Sequence, residues 1–230
     1  MDGRGYPAYR DLEGEWSLGN GITVFVDRVA RDPFAPPSRV RVRMDGETAG
    51  FPAALASNRA RRTALADFLA RRFGRAIPQS GSSAGSGHSG QIRIDAGGQE
   101  ILERTAIRIS GDPSGAGFVE ARVEVGLPAA GRRILGHRAA DLLTRELPAI
   151  AGRALVFRSL PEGAPESFVN AVENQHHLRS QLEARSLTAF VPDGAILPRA
   201  HGASERPLTD GVVPFESPAS LRVSLSLLHP

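Results

Sequence analysis

Two residue types are missing from this chain altogether: none of its 230 residues is a cysteine and none is a lysine. Without cysteine there are no disulfides, thiolate nucleophiles or thiolate metal sites, which fits a reducing compartment and leads to the expectation of a cytoplasmic protein. Without lysine the chain cannot by itself run Schiff-base chemistry or clamp a phosphate with an ammonium group. No apolar run approaches the ~18 residues that a bilayer span needs, so no membrane partner is expected. The polar start MDGRGYPAYRDLEGEW lacks the apolar centre of a secretion signal. Serine, histidine and aspartate occur as in any chain of this size, but no strand-to-helix nucleophile elbow groups them, and no catalytic residue is assigned.

What is abundant is arginine. All 28 basic side chains are arginines against 25 acids. The excess is uneven: residues 1–80 hold 13 arginines and 9 acids, whereas residues 81–230 hold 15 and 16. It concentrates in RVRVR (39–43), RARR (59–62) and RRFGR (71–75). A polarised basic region of this kind suits a polyanionic partner; the ordinary reading is a solvated face.

Periodicity predicts an α+β fold of mostly antiparallel strands packed with a few helices. ITVFVDRV (22–29) and RVRVRM (39–44) read as strands. The second places Val40, Val42 and Met44 on one face and Arg39, Arg41 and Arg43 on the other, with guanidinium groups about 6.6 Å apart. DPFAPPSR between them, with three prolines, is held out of helix. SNRARRTALADFLARRFGRA reads as a helix capped by Ser57, with Leu65, Leu69 and Phe73 inward and Arg61, Arg71 and Arg75 roughly opposite. QIRID (91–95), RTAIRIS (104–110) and FVEARVEVGL (118–127) alternate as strands, the last two joined by GDPSGAG. A helix is expected from about Leu135 to Pro148 or Gly152, and another over 166–186 with Phe168, Val172, Leu178 and Leu182 buried. LRVSLSLL (221–228) alternates as a strand. RSLPEGAPES (158–167) is the best candidate boundary, which divides the chain into 1–160 and 161–230.

The stretch SGSSAGSGHSG (80–90) invites comparison with a phosphate-binding loop. The best alignment to G-x-x-x-x-G-K-[ST] puts His88 where lysine belongs and Ser82 at the first glycine, and a strand rather than a helix follows. A hydrolytic P-loop is therefore excluded here. A looser nest of backbone N–H groups over Gly85, Ser86, Gly87, His88, Ser89 and Gly90 stays open as an anion loop, beside the ordinary reading of a flexible connector. Glu173, His176 and His177 share a helix face without an open metal site, so no metal is assigned. Arg132 and Arg133 precede a helix and either contact phosphate or face water.

Six blocks in order, DGRGYPAYRDLEGEW, RDPFAPPSRVRVRM, GQEILERTAI, VGLPAAGRRILG, TAFVPDGAILPR and VVPFESPASLRV, resemble the amino-terminal half of the soluble "ATPase of the ABC class" family. The resemblance covers nearly the whole chain. It implies an N-terminal accessory domain over 1–160, then a linker helix and the first strands of an ABC-type ATPase core over 161–230. The family's Walker A loop is expected after the strand corresponding to Ser220–Leu227, so the chain is expected to stop short of it and to be inactive alone. ATP and Mg²⁺ are the implied cofactors of the whole protein. Where the family often has G-S-G-K-S-G, this chain has Gly85-Ser86-Gly87-His88-Ser89-Gly90, and His88 would hold a phosphate only when protonated.

Two functions are carried forward. In the first, Arg39, Arg41, Arg43, Arg61, Arg71, Arg75, Arg132 and Arg133 contact RNA or DNA and couple it to the ATPase core. In the second, the chain is a docking or homodimerisation domain of the ATPase with no nucleic-acid role.

Overall fold

In a computed structural model, which describes residues 2–78 and 85–230, the chain forms two units, one ending at Val169 and one running from Asn170 to Pro230. In chain order the first unit contains β1 (Gly14–Gly19), β2 (Ile22–Arg28), β3 (Ser38–Asp45), the single turn α1 (Gly46–Ala49) and α2 (Arg59–Ala76). Then follow β4 (Ile92–Arg93), β5 (Ile107–Ser110), β6 (Phe118–Val125), the small hairpin of β7 (Ala129–Ala130) and β8 (Arg133–Ile134), α3 (Gly136–Asp141), a π-helical turn (Leu142–Glu146) and α4 (Leu147–Ala154). The helix α5 (Ala164–Leu182) runs from the first unit into the second.

The main sheet is antiparallel throughout, in the order β1-β2-β3-β6-β4, with β5 also paired to β6. β1 was not expected; the signal for it was Trp16 alternating with Leu18 ahead of Asn20-Gly21. Both of those residues take positive φ, as the tight hairpin to β2 requires.

Register sorts the side chains. Val24, Val26, Val40, Val42, Met44, Val119, Ala121 and Val123 occupy one face and are all buried. Leu65, Leu69 and Phe73 of α2, fully buried, lie on the core side with α4, and these helices contact each other and the sheet. Asn58 caps α2 by accepting from the N–H of Arg61 at 2.9 Å. The expected cap, Ser57, instead donates to the carbonyl of Ala54.

Of the two expected limits of the second helix, Pro148 and Gly152, the helix passes the first and ends at Ala154, close to the second. Pro148 lies in the first turn of α4, where its missing N–H is tolerated, and the π-turn before it absorbs the mismatch.

Tyr6 and Tyr9 are both buried, edge to face at 5.1 Å, and the Tyr9 hydroxyl donates to the carbonyl of Pro128. Burial, reinforced by Asp32, pushes Tyr6 up to about 12, and burial raises Tyr9 as well. A raised folded-state value means a stability contribution present below pH 10 and lost as pH climbs toward 12. These are the only two tyrosines. Tyrosinate absorbance at 295 nm is therefore expected to stay silent through pH 10 and then rise together with loss of the circular dichroism signal. A separate titration near pH 10 in the folded protein would contradict it.

The second unit corrects the expected fold class. Among its described residues the regular elements are helical, the rest of α5 and a 3₁₀ turn at Glu183–Arg185, and the expected strands of an ATPase core are not there. A strand exists through a ladder partner, and among the described residues none runs beside 221–228. Side-chain amides take up its backbone instead. Asn174 accepts from the N–H groups of Leu228 and His229 at 2.9 and 3.0 Å, and Gln181 donates to the carbonyl of Ser226 at 2.9 Å.

Candidate functional site

The face of the sheet opposite the core is a chequerboard of arginine and carboxylate. Across β3 and β6, Arg39 stands opposite Glu124, Arg41 opposite Arg122 and Arg43 opposite Glu120. From the other side Arg93 faces Glu124 and Arg108 faces Glu120.

At the centre lies Glu120, 0% exposed. It accepts from Arg41 Nη1 at 3.1 Å and from Arg43 Nε and Nη2 at 3.0 and 2.7 Å, with Arg122 Nε at 3.5 Å. Arg41 is also held bidentate by Asp27 at 2.7 and 2.8 Å, and that pairing first of all holds its proton more tightly than usual. Two phenyl rings complete the layer. Arg41 and Arg43 lie 4.1 and 4.6 Å from the ring centre of Phe25, and Arg43 lies 4.0 Å from that of Phe118.

Beside this locked centre are guanidinium groups with less to do. Arg39 has no carboxylate partner among the described residues, and Arg93 bonds only the neutral Gln91. They line a groove of about 740 Å³ together with Arg41 and Arg122, against Asp27, Asp95 and Glu124. At Thr105 and Arg122 this groove meets a smaller concavity of about 230 Å³ formed by α2 and β5. There Arg59, Arg62, Arg104 and Arg108 face a single acid, Glu103, which pairs with Arg59 at 2.8 Å. The buried Nε of Arg104 has no acceptor among the described residues. The two concavities are lined by eight arginines, Arg122 belonging to both, and by four carboxylates.

The arginines singled out in the sequence fall into three places. Arg39, Arg41 and Arg43 lie on this face. Arg61, Arg71 and Arg75 stand on α2, where Arg61 donates to the carbonyl of Ala54 and Arg71 pairs with the buried Asp67 at 2.5 Å. Arg132 and Arg133 are exposed on the β7–β8 hairpin, which Gly5 bridges at Arg133, and neither forms an ion pair among the described residues. Sequence reasoning missed Arg93, Arg104, Arg108 and Arg122. Their alternation within strand-like runs was visible, but not which strands would pair.

The Gly/Ser stretch is described from Gly85 onward; Ser82 lies outside the described residues. Gly85–Gly90 does not hang free. The N–H of Ser86 donates to Ala129, that of His88 to Pro33, that of Ser89 to Ser86 and that of Gly90 to Gly126, at 2.7 to 3.3 Å. Ser89 Oγ accepts from the N–H of Ala129 at 3.0 Å, and Ser86 Oγ from that of Gly131 at 2.9 Å. Gly87 sits at φ 63°, where a Cβ would come within 2.2 Å of the Pro33 carbonyl oxygen. Four amides that a nest would offer to an anion are thus used internally. Glu173, of the helix face weighed for metal, pairs with His229 at 2.6 Å.

The description "ATPase of the ABC class N-terminal" matches residues 1–158. The chain belongs to the ABC-class ATPase family. A second description, the P-loop domain of ABC_ATPase, matches residues 162–230. This corrects the expectation of a chain confined to the accessory region and truncated before the ATPase motif: the chain carries both domains of the ABC-class ATPase. The expectation of inactivity, which rested on a missing catalytic domain, falls with it, because residues 162–230 belong to that domain. No curated protein matches the chain. Among the described residues no helix is long and apolar enough to cross a membrane.

Proposed function

We propose that this ABC-class ATPase module holds RNA or DNA by its phosphates on the arginine-lined face and couples that contact to the ATPase domain. In this reading residues 1–160 act as the accessory domain, 161–230 as the linker helix and the start of the ATPase core, and the protein works in the cytoplasm. The observation that supports it is the pair of joined concavities, where arginines outnumber carboxylates two to one. Guanidinium forks match phosphate geometry, and their contacts are independent of sequence. Arg61, Arg71, Arg75, Arg132 and Arg133 belong to the proposal as contacts further along the strand.

ATP and Mg²⁺ are the ligands that the P-loop domain brings to the reading. The residues on view do not by themselves fit them. There is no lysine for the phosphates, and no group of three metal-ligating side chains stands together among the described residues. No hydrolytic step is derived from these side chains.

Fluorescence anisotropy with single- and double-stranded RNA and DNA across a salt series tests the proposal. Affinity is expected to fall linearly in log–log form. Replacing Arg39, Arg93 and Arg122 together by alanine should flatten the slope by about 2 to 3, at ~0.7 to 0.9 per phosphate contact. Binding that ignores salt, or no binding at low salt, removes the proposal.

The second reading, a docking or dimerisation surface, is favoured by one observation. Of ten exposed large apolar side chains among the described residues, seven lie between Ile196 and Leu228, with Val213 86% exposed. Sedimentation of the same variants separates the two. Loss of binding with unchanged oligomeric state favours the first.

A further inference from the structure

On the core side of the sheet, at its β1–β2 end, the helices leave an open cavity of about 430 Å³. Its floor is Val24 and Val26, each 2% exposed, and Leu12, Leu18 and Leu143 stand around it. Trp16, the chain's one tryptophan, is in the wall and 47% exposed. Its Nε1–H donates to the carbonyl of Leu12 at 2.8 Å.

The opposite wall includes Leu143 and Thr144 of the π-turn. Such turns recur at functional sites, because they distort a helix wall at a local cost that packing alone does not require. Pro148 sharpens this one by removing the donor that would close on the Thr144 carbonyl at i−4.

The charge is also particular. Of the chain's 28 arginines, none stands among the described residues that line this cavity. Its titratable lining among the described residues is Asp2 and His137 with the buried Tyr9, whose hydroxyl is spent on the carbonyl of Pro128. One carboxylate oxygen of Asp2 accepts from the N–H of Gly136, and an ionised carboxylate keeps further acceptor capacity.

We propose that this cavity binds a flat aromatic ligand carrying an amino or ammonium group. The ring lies among Trp16, Leu18 and Leu143, and the nitrogen donates to Asp2. The volume falls in the lower part of the ~300–1,000 Å³ range of small-molecule sites, enough for one or two fused rings. A carboxylated or phosphorylated ligand would meet Asp2 with like charge, and among the described lining residues the one basic side chain beside it is the imidazole of His137, with no arginine. Because Trp16 and Val24 point away from the face that carries Phe25 and Arg41, the site does not depend on the nucleic-acid reading.

The single tryptophan makes the test direct. 2-Phenylethylamine, benzyl alcohol and 3-phenylpropionate are titrated into the full chain with Trp16 emission as the readout. The amine is expected to give a saturable change, and the carboxylate to bind about tenfold or more weakly, as loss of a charge-assisted hydrogen bond implies. Asp2→Asn should erase the preference between amine and alcohol while keeping an acceptor for Gly136. Ala140→Phe, at an exposed wall position, should abolish binding with the circular dichroism spectrum unchanged. No saturable change with the amine, equal binding of the three probes, or full binding by Ala140→Phe would overturn the proposal.

Discussion

Glu120→Ala is expected to cost on the order of 3–5 kcal/mol, a large share of the ~5–15 kcal/mol that holds a typical domain together. The carboxylate is fully buried and shared by three guanidinium groups within 3.5 Å. Its removal does not treat them alike. Arg41 keeps its bidentate hold on Asp27, and Arg122 is partly in water. Arg43 loses the one carboxylate it has among the described residues and stays wedged between two phenyl rings. Cation–π contacts of ~0.5–2 kcal/mol each do not replace an anion for a half-buried cation. Glu120→Gln keeps the volume and one acceptor oxygen and should cost roughly half as much. Urea unfolding of the three proteins, followed by circular dichroism, measures this. An alanine variant within about 1 kcal/mol of the parent would mean that the arginines hold themselves apart without the anion.

That buried anion also shows how far a sequence can be read. The alternation in RVRVRM correctly separates Val40, Val42 and Met44 from Arg39, Arg41 and Arg43. FVEARVEV alternates as well, with Glu120, Arg122 and Glu124 on one side. What neither string contains is the register that sets Arg43 across from Glu120, 77 residues on. Pairing is a tertiary property, decided by which apolar faces find one another, so a row of three cations read as open to a partner is half neutralised from beneath. The cations left with fewer partners, Arg39, Arg93 and Arg108, come from three different strands, and only the folded sheet assembles them.

Local signals erred where tertiary packing overrode them. Ser57 and Asn58 are both good caps, and the choice between adjacent residues lies within the ordinary uncertainty of a helix end. Of the two expected limits of this helix, Pro148 and Gly152, the later one is near the mark: the chain stays helical through Pro148 as α4 to Ala154, with Leu147, Ile150 and Ala151 buried. A proline in a first turn costs little when the preceding turn widens. LRVSLSLL had the right period for a strand, but period alone supplies no ladder.

Gly126→Ala should destabilise the chain by ~1–3 kcal/mol and unclasp Gly85–Gly90 from the segment that follows β6. A Cβ at Gly126 would lie 1.7 Å from the carbonyl oxygen of His88 and 2.5 Å from its carbon, both backbone atoms that cannot rotate away. The contact is mutual: the N–H of Gly90 donates to Gly126 at 2.7 Å, and that of Gly126 to Gln91 at 2.8 Å. Ser89→Ala is the milder comparison, removing a buried hydroxyl that serves the N–H of Ala129 and costing ~1 kcal/mol. Hydrogen exchange reads the result amide by amide. In the parent protein Ser86, His88, Ser89 and Gly90 should exchange slowly without any phosphate present, because the fold already supplies their acceptors. In Gly126→Ala they should exchange fast while β3 and β6 stay protected. Fast exchange in the parent that inorganic phosphate slows would instead mean that these amides are open to an anion, as a nest requires.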